Sequence, residues 1–282
     1  GSRIAAKALE EGRKVRCLVR DLRRGAHLRE LGAELVEGDI LKPESLAEAV
    51  RGATAAIHLV GIISERRGET FDEVHYRGTV NVVEALKGVS VQRYLHMSAL
   101  GVRPGAQSLY HQSKWRAEEY VRESGLRYTI FRPSIIFGER DEFINLLARL
   151  VRLAPVVPIL GSGRTLLQPI WVEDVAFCFI KALDVDGAVG KTFELVGPER
   201  VSLEDLVDTL LQVLRRSRVK VHIPLGLAEL GARAMECLLS RPPLTRDQLL
   251  MLSEDNVGEG EPMRATFGLE PRRLEDYLEA HL

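Results

Sequence analysis

Residues 97–114 read MSALGVRPGAQSLYHQSK, and this stretch decides how the rest of the chain is organised. The apolar run Tyr94-Leu95-His96-Met97 predicts a strand that ends at Ser98. A loop containing Gly and Pro follows, and Tyr110 and Lys114 stand four residues apart at the start of a helical pattern. Residues at i and i+4 share a helix face, so the phenol and the ammonium project to the same side. A hydroxyl at a strand end, a tyrosine and a lysine form an acid–base set for chemistry at a carbonyl or an alcohol. Tyrosine by itself titrates near ~10, too high for proton exchange at neutral pH, and a neighbouring lysine cation favours the phenolate. Tyr-x-x-x-Lys also occurs by chance on helices, so the weight falls on the rest of the chain.

Outward from that stretch, short apolar runs alternate with helical patterns. Upstream lie strands over Lys14–Arg20, over AELVEGD ending at Asp39, and over Ala55–Gly61. Helices are expected from Gly1 to Gly12, from Leu22 to Leu31, from Pro43 to Val50 and from Phe71 to Leu86. Downstream, Tyr110–Ser124 is a helix and Tyr128–Phe131 a strand running into Arg132-Pro133-Ser134. Alternation of this kind predicts an α/β fold: a doubly wound, Rossmann-like parallel sheet covered on both faces, with a smaller C-terminal substrate lobe. The expected division is residues 1–198 for the dinucleotide-binding domain and 199–282 for the lobe. Such a sheet normally opens on a central strand whose turn carries the glycine fingerprint, whereas this sequence opens on a helix. Gly1 is therefore read as the last glycine of that fingerprint, with a strand and turn expected upstream; a cloning scar is the rival reading of Gly1-Ser2.

Arg20 and Asp21 follow a strand end that meets the adenosine ribose in dinucleotide folds. An acid there suits a 2′-hydroxyl and an arginine suits a 2′-phosphate. Arg20 comes first, so NADP is expected, with NAD as the other candidate. Asp39 closes the next strand, within reach of an adenine edge or as the cap of a turn.

Composition narrows the classes. The chain has 282 residues, 45% of them hydrophobic and 28% charged, with a formal net charge of −1, so nothing draws it as a whole to nucleic acid. Cys17, Cys178 and Cys237 are far apart and make no C-x-x-C, which indicates neither a zinc site nor a disulfide framework; a reducing cytoplasm is the expected setting. No signal peptide is expected, and the most apolar run, Ile144–Leu160, is broken by Arg149, Arg152 and two prolines. His58, His75, His96 and His111 lack ligand spacing, and no metal is expected.

YHQSK with Ser98 twelve residues before its tyrosine, RPSIIFG after the next strand and LQPIWVEDVA further on resemble the short-chain dehydrogenase/reductase superfamily. The closest likeness is to its atypical or extended, epimerase/dehydratase-like branch, which includes the NADPH-binding accessory subunit of respiratory complex I and its bacterial relatives. The resemblance covers nearly the whole chain. It implies that Ser98, Tyr110 and Lys114 match the family's catalytic residues and that Lys114 also holds the nicotinamide ribose. It further implies that Val60 and Gly61 line the adenosine and that Pro133 and Ile136 make backbone contacts near the nicotinamide. Two departures stand out: of the glycine fingerprint only Gly1 is present, and Leu166 and Leu167 occupy positions where nucleotide-sugar members carry a phosphate-clamping arginine.

Three functions follow. The first is an NADP(H)-dependent oxidoreductase moving hydride between nicotinamide and an unidentified carbonyl or alcohol. The second is a non-catalytic NADPH-binding accessory or assembly protein of a respiratory complex. A nucleotide-sugar epimerase or dehydratase is third, kept in view by Arg164. The segment Pro224–Ser240, with Leu225, Leu227, Leu230, Ala234, Met235, Leu238 and Leu239, is read as a lid of the lobe, or as a lipophilic pocket or a face for a membrane surface or partner subunit. The oligomeric state is left open.

Overall fold

The computed structural model describes residues 1–66, 68–239 and 242–282. Helix α1 (Ser2–Glu10) leads into strand β1 (Arg16–Val19), α2 (Ala26–Glu30), β2 (Glu34–Glu37), α3 (Leu46–Val50) and β3 (Ala55–His58). Then follow α4 (Gly78–Lys87), β4 (Arg93–Met97), α5 (Leu109–Glu123), β5 (Tyr128–Pro133), β6 (Ile136–Phe137), α6 (Phe143–Leu153) and β7 (Val156–Leu160). After β8 (Leu166–Leu167) and β9 (Ile170–Trp171) come α7 (Val172–Ala182), β10 (Lys191–Leu195), β11 (Val201–Ser202), α8 (Leu203–Val213) and β12 (Val219–Ile223). Four helices close the chain: α9 (Leu225–Leu238), α10 (Arg246–Ser253), α11 (Glu261–Phe267) and α12 (Leu274–His281).

Strands β10, β5, β4 and β3 form one parallel sheet in that order, in the register His58↔His96, Met97↔Phe131 and Leu195↔Pro133. Parallel β1 and β2 pair with each other alone, and among the described residues neither β1 nor β3 is paired along its other edge. The apolar runs make both faces of the main sheet dry. Leu95 and Phe131 join α1, α7 and α11 in one core, through Ile4, Ala8, Phe179, Met263 and Phe267. Tyr94 and Ile130 face the other way, onto Val83 and Leu86 of α4 and Val121 of α5. The expected α/β architecture with a parallel sheet covered on both faces is what the chain adopts.

Local chemistry trims several of the expected elements. The helix expected over Leu22–Leu31 is only α2, because the Arg23 N–H donates to Asp21 Oδ1 at 2.9 Å and holds the first residues in a turn. The helix expected from Phe71 begins with a π-helical turn over Asp72–Arg77 before α4, and Val74 and His75 are both buried there. Asn81 ties this helix to neighbouring backbone, its side-chain amide donating to Ile40 O at 2.8 Å.

A second core gathers α6 and β7 with α8 and α12, through Val151, Ile159, Leu206, Leu210 and Leu278. It therefore draws on residues from both sides of position 198, while α11 packs back on the main core. A reciprocal cap starts α8: Ser202 Oγ accepts the Asp205 N–H at 3.0 Å and the Ser202 N–H donates to Asp205. Helix α9 buries only Ala232, leaving Leu227, Leu230 and Leu238 exposed at 62%, 65% and 82%. Ser240, the last residue of the expected apolar segment, lies outside the described residues. Among those described, no helix is long and apolar enough to cross a membrane.

Candidate functional site

The carboxyl end of β4 and the first turns of α5 build the centre of the site. Ser108 Oγ accepts the His111 N–H at 3.1 Å and caps α5. A second cap comes from the far end of the chain: Asp247 on α10 accepts the N–H groups of Leu109 and Tyr110 at 2.7 and 3.3 Å. An anionic group at a helix N-terminus meets four unpaired N–H donors and the positive end of the helix dipole. The inward face of α5 carries Ser113, Lys114, Ala117 and Val121.

Lys114 Nζ donates to Met97 O at 3.0 Å, next to Ser98, and lies 5.9 Å from the centroid of the Tyr110 ring. Burial disfavours the ammonium and lowers Lys114 to about 8, against the opposing pull of Glu118. Ser98 Oγ is buried and, among the described residues, has no hydrogen-bond partner, a polar atom waiting for one. Lys114 was expected to hold the Tyr110 phenol down. Burial instead pushes Tyr110 up to about 12, and the charge of Asp247 adds to the rise. In the chain by itself the phenol is therefore held protonated, because desolvation and the Asp247 charge both disfavour the phenolate.

His75, set aside as a metal ligand, is a structural member of this site. Its Nε2 accepts the Ile62 N–H at 3.0 Å, which leaves the proton on Nδ1, 2.8 Å from Ser113 Oγ. Ser113 Oγ donates in turn to Tyr110 O at 2.8 Å, and the Tyr110 ring stands edge-on to His75 with centroids 5.2 Å apart. Burial and then the Lys114 charge drive His75 down to about 2, so the imidazole stays neutral. The π-helical turn makes this bridge by aiming both Val74 and His75 inward. Gly61 is set in the same corner: a Cβ there would lie 3.1 Å from Lys114 Nζ and 3.4 Å from His75 Nε2.

At the other end of the strand edge, Gly1 caps α1, and a Cβ on it would lie 3.7 Å from Leu59 Cδ1, beside exposed Val60. Arg20 leaves β1 and pairs with Glu69, a partner that no sequence spacing announces. Asp39 Oδ1 accepts the Leu41 N–H at 3.0 Å, the turn-capping role weighed above, while its charge also acts on Arg20. Pro133 O accepts the Leu100 N–H at 2.9 Å, and Ile136 is paired with Ile170 in β6 and β9. Leu167 is buried in the second core, so β8 offers an apolar pair where a clamping arginine would stand.

An orphaned hydroxyl at Ser98, a glycine cradle at Gly61 under a lysine, a helix N-terminus at Gly1 and an arginine at the carboxyl end of β1 fit a dinucleotide laid across the carboxyl ends of the strands. A family model described as NAD(P)H-binding matches residues 1–146. The mouse (Mus musculus) NADH dehydrogenase (ubiquinone) 1 alpha subcomplex subunit 9, mitochondrial, is 30% identical over 266 residues, 92% of this chain and 70% of the relative. The same-named subunit of Arabidopsis thaliana is 26% identical, and its match takes in 83% of this chain but only 61% of that protein's length. Photosystem II assembly factor Ycf39 of Cyanophora paradoxa is 28% identical over 84% of this chain and 72% of its own. UDP-glucose 4-epimerase of Thermotoga maritima shares the fold, with a TM-score of 0.77 over 99% of this chain and 93% of that one at 17% identity. The chain therefore belongs to the NAD(P)H-binding family, with the mouse NADH dehydrogenase subunit and Ycf39 as homologues, and it has the fold of the epimerase/dehydratase-like short-chain dehydrogenases/reductases.

Proposed function

We propose that this protein is an NADP(H)-dependent oxidoreductase acting on a small carbonyl or alcohol substrate. The observation that carries the reading is the buried, unpartnered Ser98 Oγ beside the Lys114–Met97 hydrogen bond and the Tyr110 face of α5. The nicotinamide ring, when bound, supplies or accepts the hydride. Ser98 Oγ donates to the substrate oxygen and orients it, and Tyr110, held as a neutral phenol, gives that oxygen its proton in the reducing direction. Lys114 holds the nicotinamide ribose, Gly61 and Val60 line the adenosine side, and the N–H groups at Gly1 receive phosphate. A cytoplasmic setting belongs to the proposal, supported by three cysteines that stay free. The test is turnover of NADPH over a panel of aldehydes and ketones: oxidation tied to one substrate is expected, and stoichiometric NADPH that stays bound and unoxidised against the whole panel overturns the reading.

A second reading has its own support. The exposed leucines of α9 form an apolar face on a helix that buries one residue, and the homologues named above are a complex subunit and an assembly factor. In that reading the chain keeps NADPH as a structural element and meets a partner subunit through α9.

Cofactor preference is separately testable. Arg20 is well exposed, so its hydrogen bond to a 2′-phosphate belongs at the lower end of those made to charged groups. Arg20→Ala is expected to weaken NADPH binding by about 1.5 kcal/mol, roughly tenfold, and to leave NADH within twofold by fluorescence titration. Identical curves for both cofactors in the parent protein would remove the preference for NADPH.

A further inference from the structure

Glu69 occupies the guanidinium that a 2′-phosphate needs. Arg20 follows β1 at the ribose side of the strand ends, and its partner reaches it from a loop 49 residues further along the chain. That loop is built to deliver the carboxylate. The Glu69 N–H donates to Arg66 O at 2.9 Å and the Arg66 N–H to Glu69 O at 3.0 Å, an isolated antiparallel bridge. Just beyond, the Phe71 N–H donates to Glu65 Oε1 at 2.8 Å and closes the loop on itself. The Glu69 side chain is 25% exposed against 64% for Arg20, so the acid is the better fixed of the two. Asp39 acts on the same guanidinium, which leaves one cation facing two carboxylates.

We propose that Glu69 is a specificity-determining residue that competes with the 2′-phosphate for Arg20 and so sets how strongly the protein prefers NADPH over NADH. The proposal rests on the assignment of Arg20 to the 2′-phosphate and deepens it. A 2′-hydroxyl makes no demand on Arg20, and a carboxylate nearby can accept its hydrogen bond. A 2′-phosphate arrives with nearly two negative charges, must take Arg20 from Glu69, and then sits near both displaced and undisplaced carboxylates. Like charges brought together weaken binding of the charged ligand selectively. NADPH is still bound better than NADH, but by less than Arg20 alone would allow, and the margin narrows as salt screens these exposed charges.

The experiment is a titration of NADPH and NADH into the parent, Glu69→Gln, Arg20→Ala and the double variant at low salt. Glutamine keeps the size of the side chain, and the backbone bridge to Arg66 does not depend on it, so the loop is retained. Glu69→Gln is expected to tighten NADPH roughly three- to tenfold, the range for losing an exposed ion pair plus a like-charge repulsion, and to move NADH less than twofold. In the Arg20→Ala background the same change is expected to tighten NADPH by less than about twofold, since only the like-charge repulsion is then left to relieve. Equal effects of Glu69→Gln on both cofactors, or none on NADPH while Arg20→Ala still weakens it, overturns the competition and leaves the Arg20 assignment standing. An Arg20→Ala protein that binds NADPH as tightly as the parent overturns both.

Discussion

Tyr110→Phe is expected to lower turnover by about 10²–10⁴, the scale of one general acid–base group, with fold and dinucleotide affinity unchanged. The ring is held by carbon contacts: it meets Phe71, His75 and His111 edge-on at centroid distances of 5.8, 5.2 and 5.4 Å. Phenylalanine keeps all three. The helix start is fixed by Ser108 and Asp247 through backbone N–H groups, which the substitution does not touch. Only the hydroxyl is lost, the group that exchanges the proton in the proposed reaction. The measurement is kcat under saturating NADPH together with a binding titration. Normal kcat in Tyr110→Phe would take the tyrosine out of the chemistry and favour the reading in which the bound dinucleotide serves a structural purpose.

Lys114→Met is expected to do two opposite things: weaken dinucleotide binding and raise the stability of the ligand-free protein. A lysine lowered to about 8 from its ordinary 10.5 is a charge the fold would sooner be without. The sign follows from proton counts. Between about pH 8 and 10.5 the unfolded chain carries the lysine proton and the folded chain has lost it, so stability rises with pH through that window. Below pH 8 both states are protonated and the full penalty applies. The interval is worth about 3 kcal/mol at 1.36 kcal/mol per pH unit. Methionine fills the buried space without the charge, at the expense of the hydrogen bond to Met97 O. A net gain of about 1–2 kcal/mol near pH 7 is expected after that bond is lost, along with a flatter stability profile from pH 8 to 10. Urea titrations of both proteins across this range measure it. A variant that is less stable at pH 7 yet keeps the parent's rise toward pH 10 would show that Lys114 is not the titrating group. The site is thus expected to be built at the expense of stability, a common condition for groups poised to meet a ligand.

Much of this was legible along the chain. Alternating apolar runs and helical patterns determined the parallel α/β sheet, since a strand buried on both faces reads as a continuous apolar run. They also set Ser98 at a strand end and Tyr110 and Lys114 one turn apart on a helix face, because periods of 2 and 3.6 are local properties. Tertiary structure alone decided the rest. Glu69 on Arg20 and Asp247 on the first turn of α5 join residues 49 and about 137 positions apart, and ion pairs and caps over such distances leave no periodic trace. His75 was visible as a residue, but only a π-helical turn aims it at Ile62 and Ser113. The amphipathic pattern of α9 said that one face is apolar; it could not say that the face stays uncovered, since that depends on what packs against it. Nor could spacing foretell that Tyr110 is pushed up to about 12. Helical spacing sets Lys114 one turn from Tyr110, whereas burial, which penalises any charge, and the approach of Asp247 are properties of the whole fold.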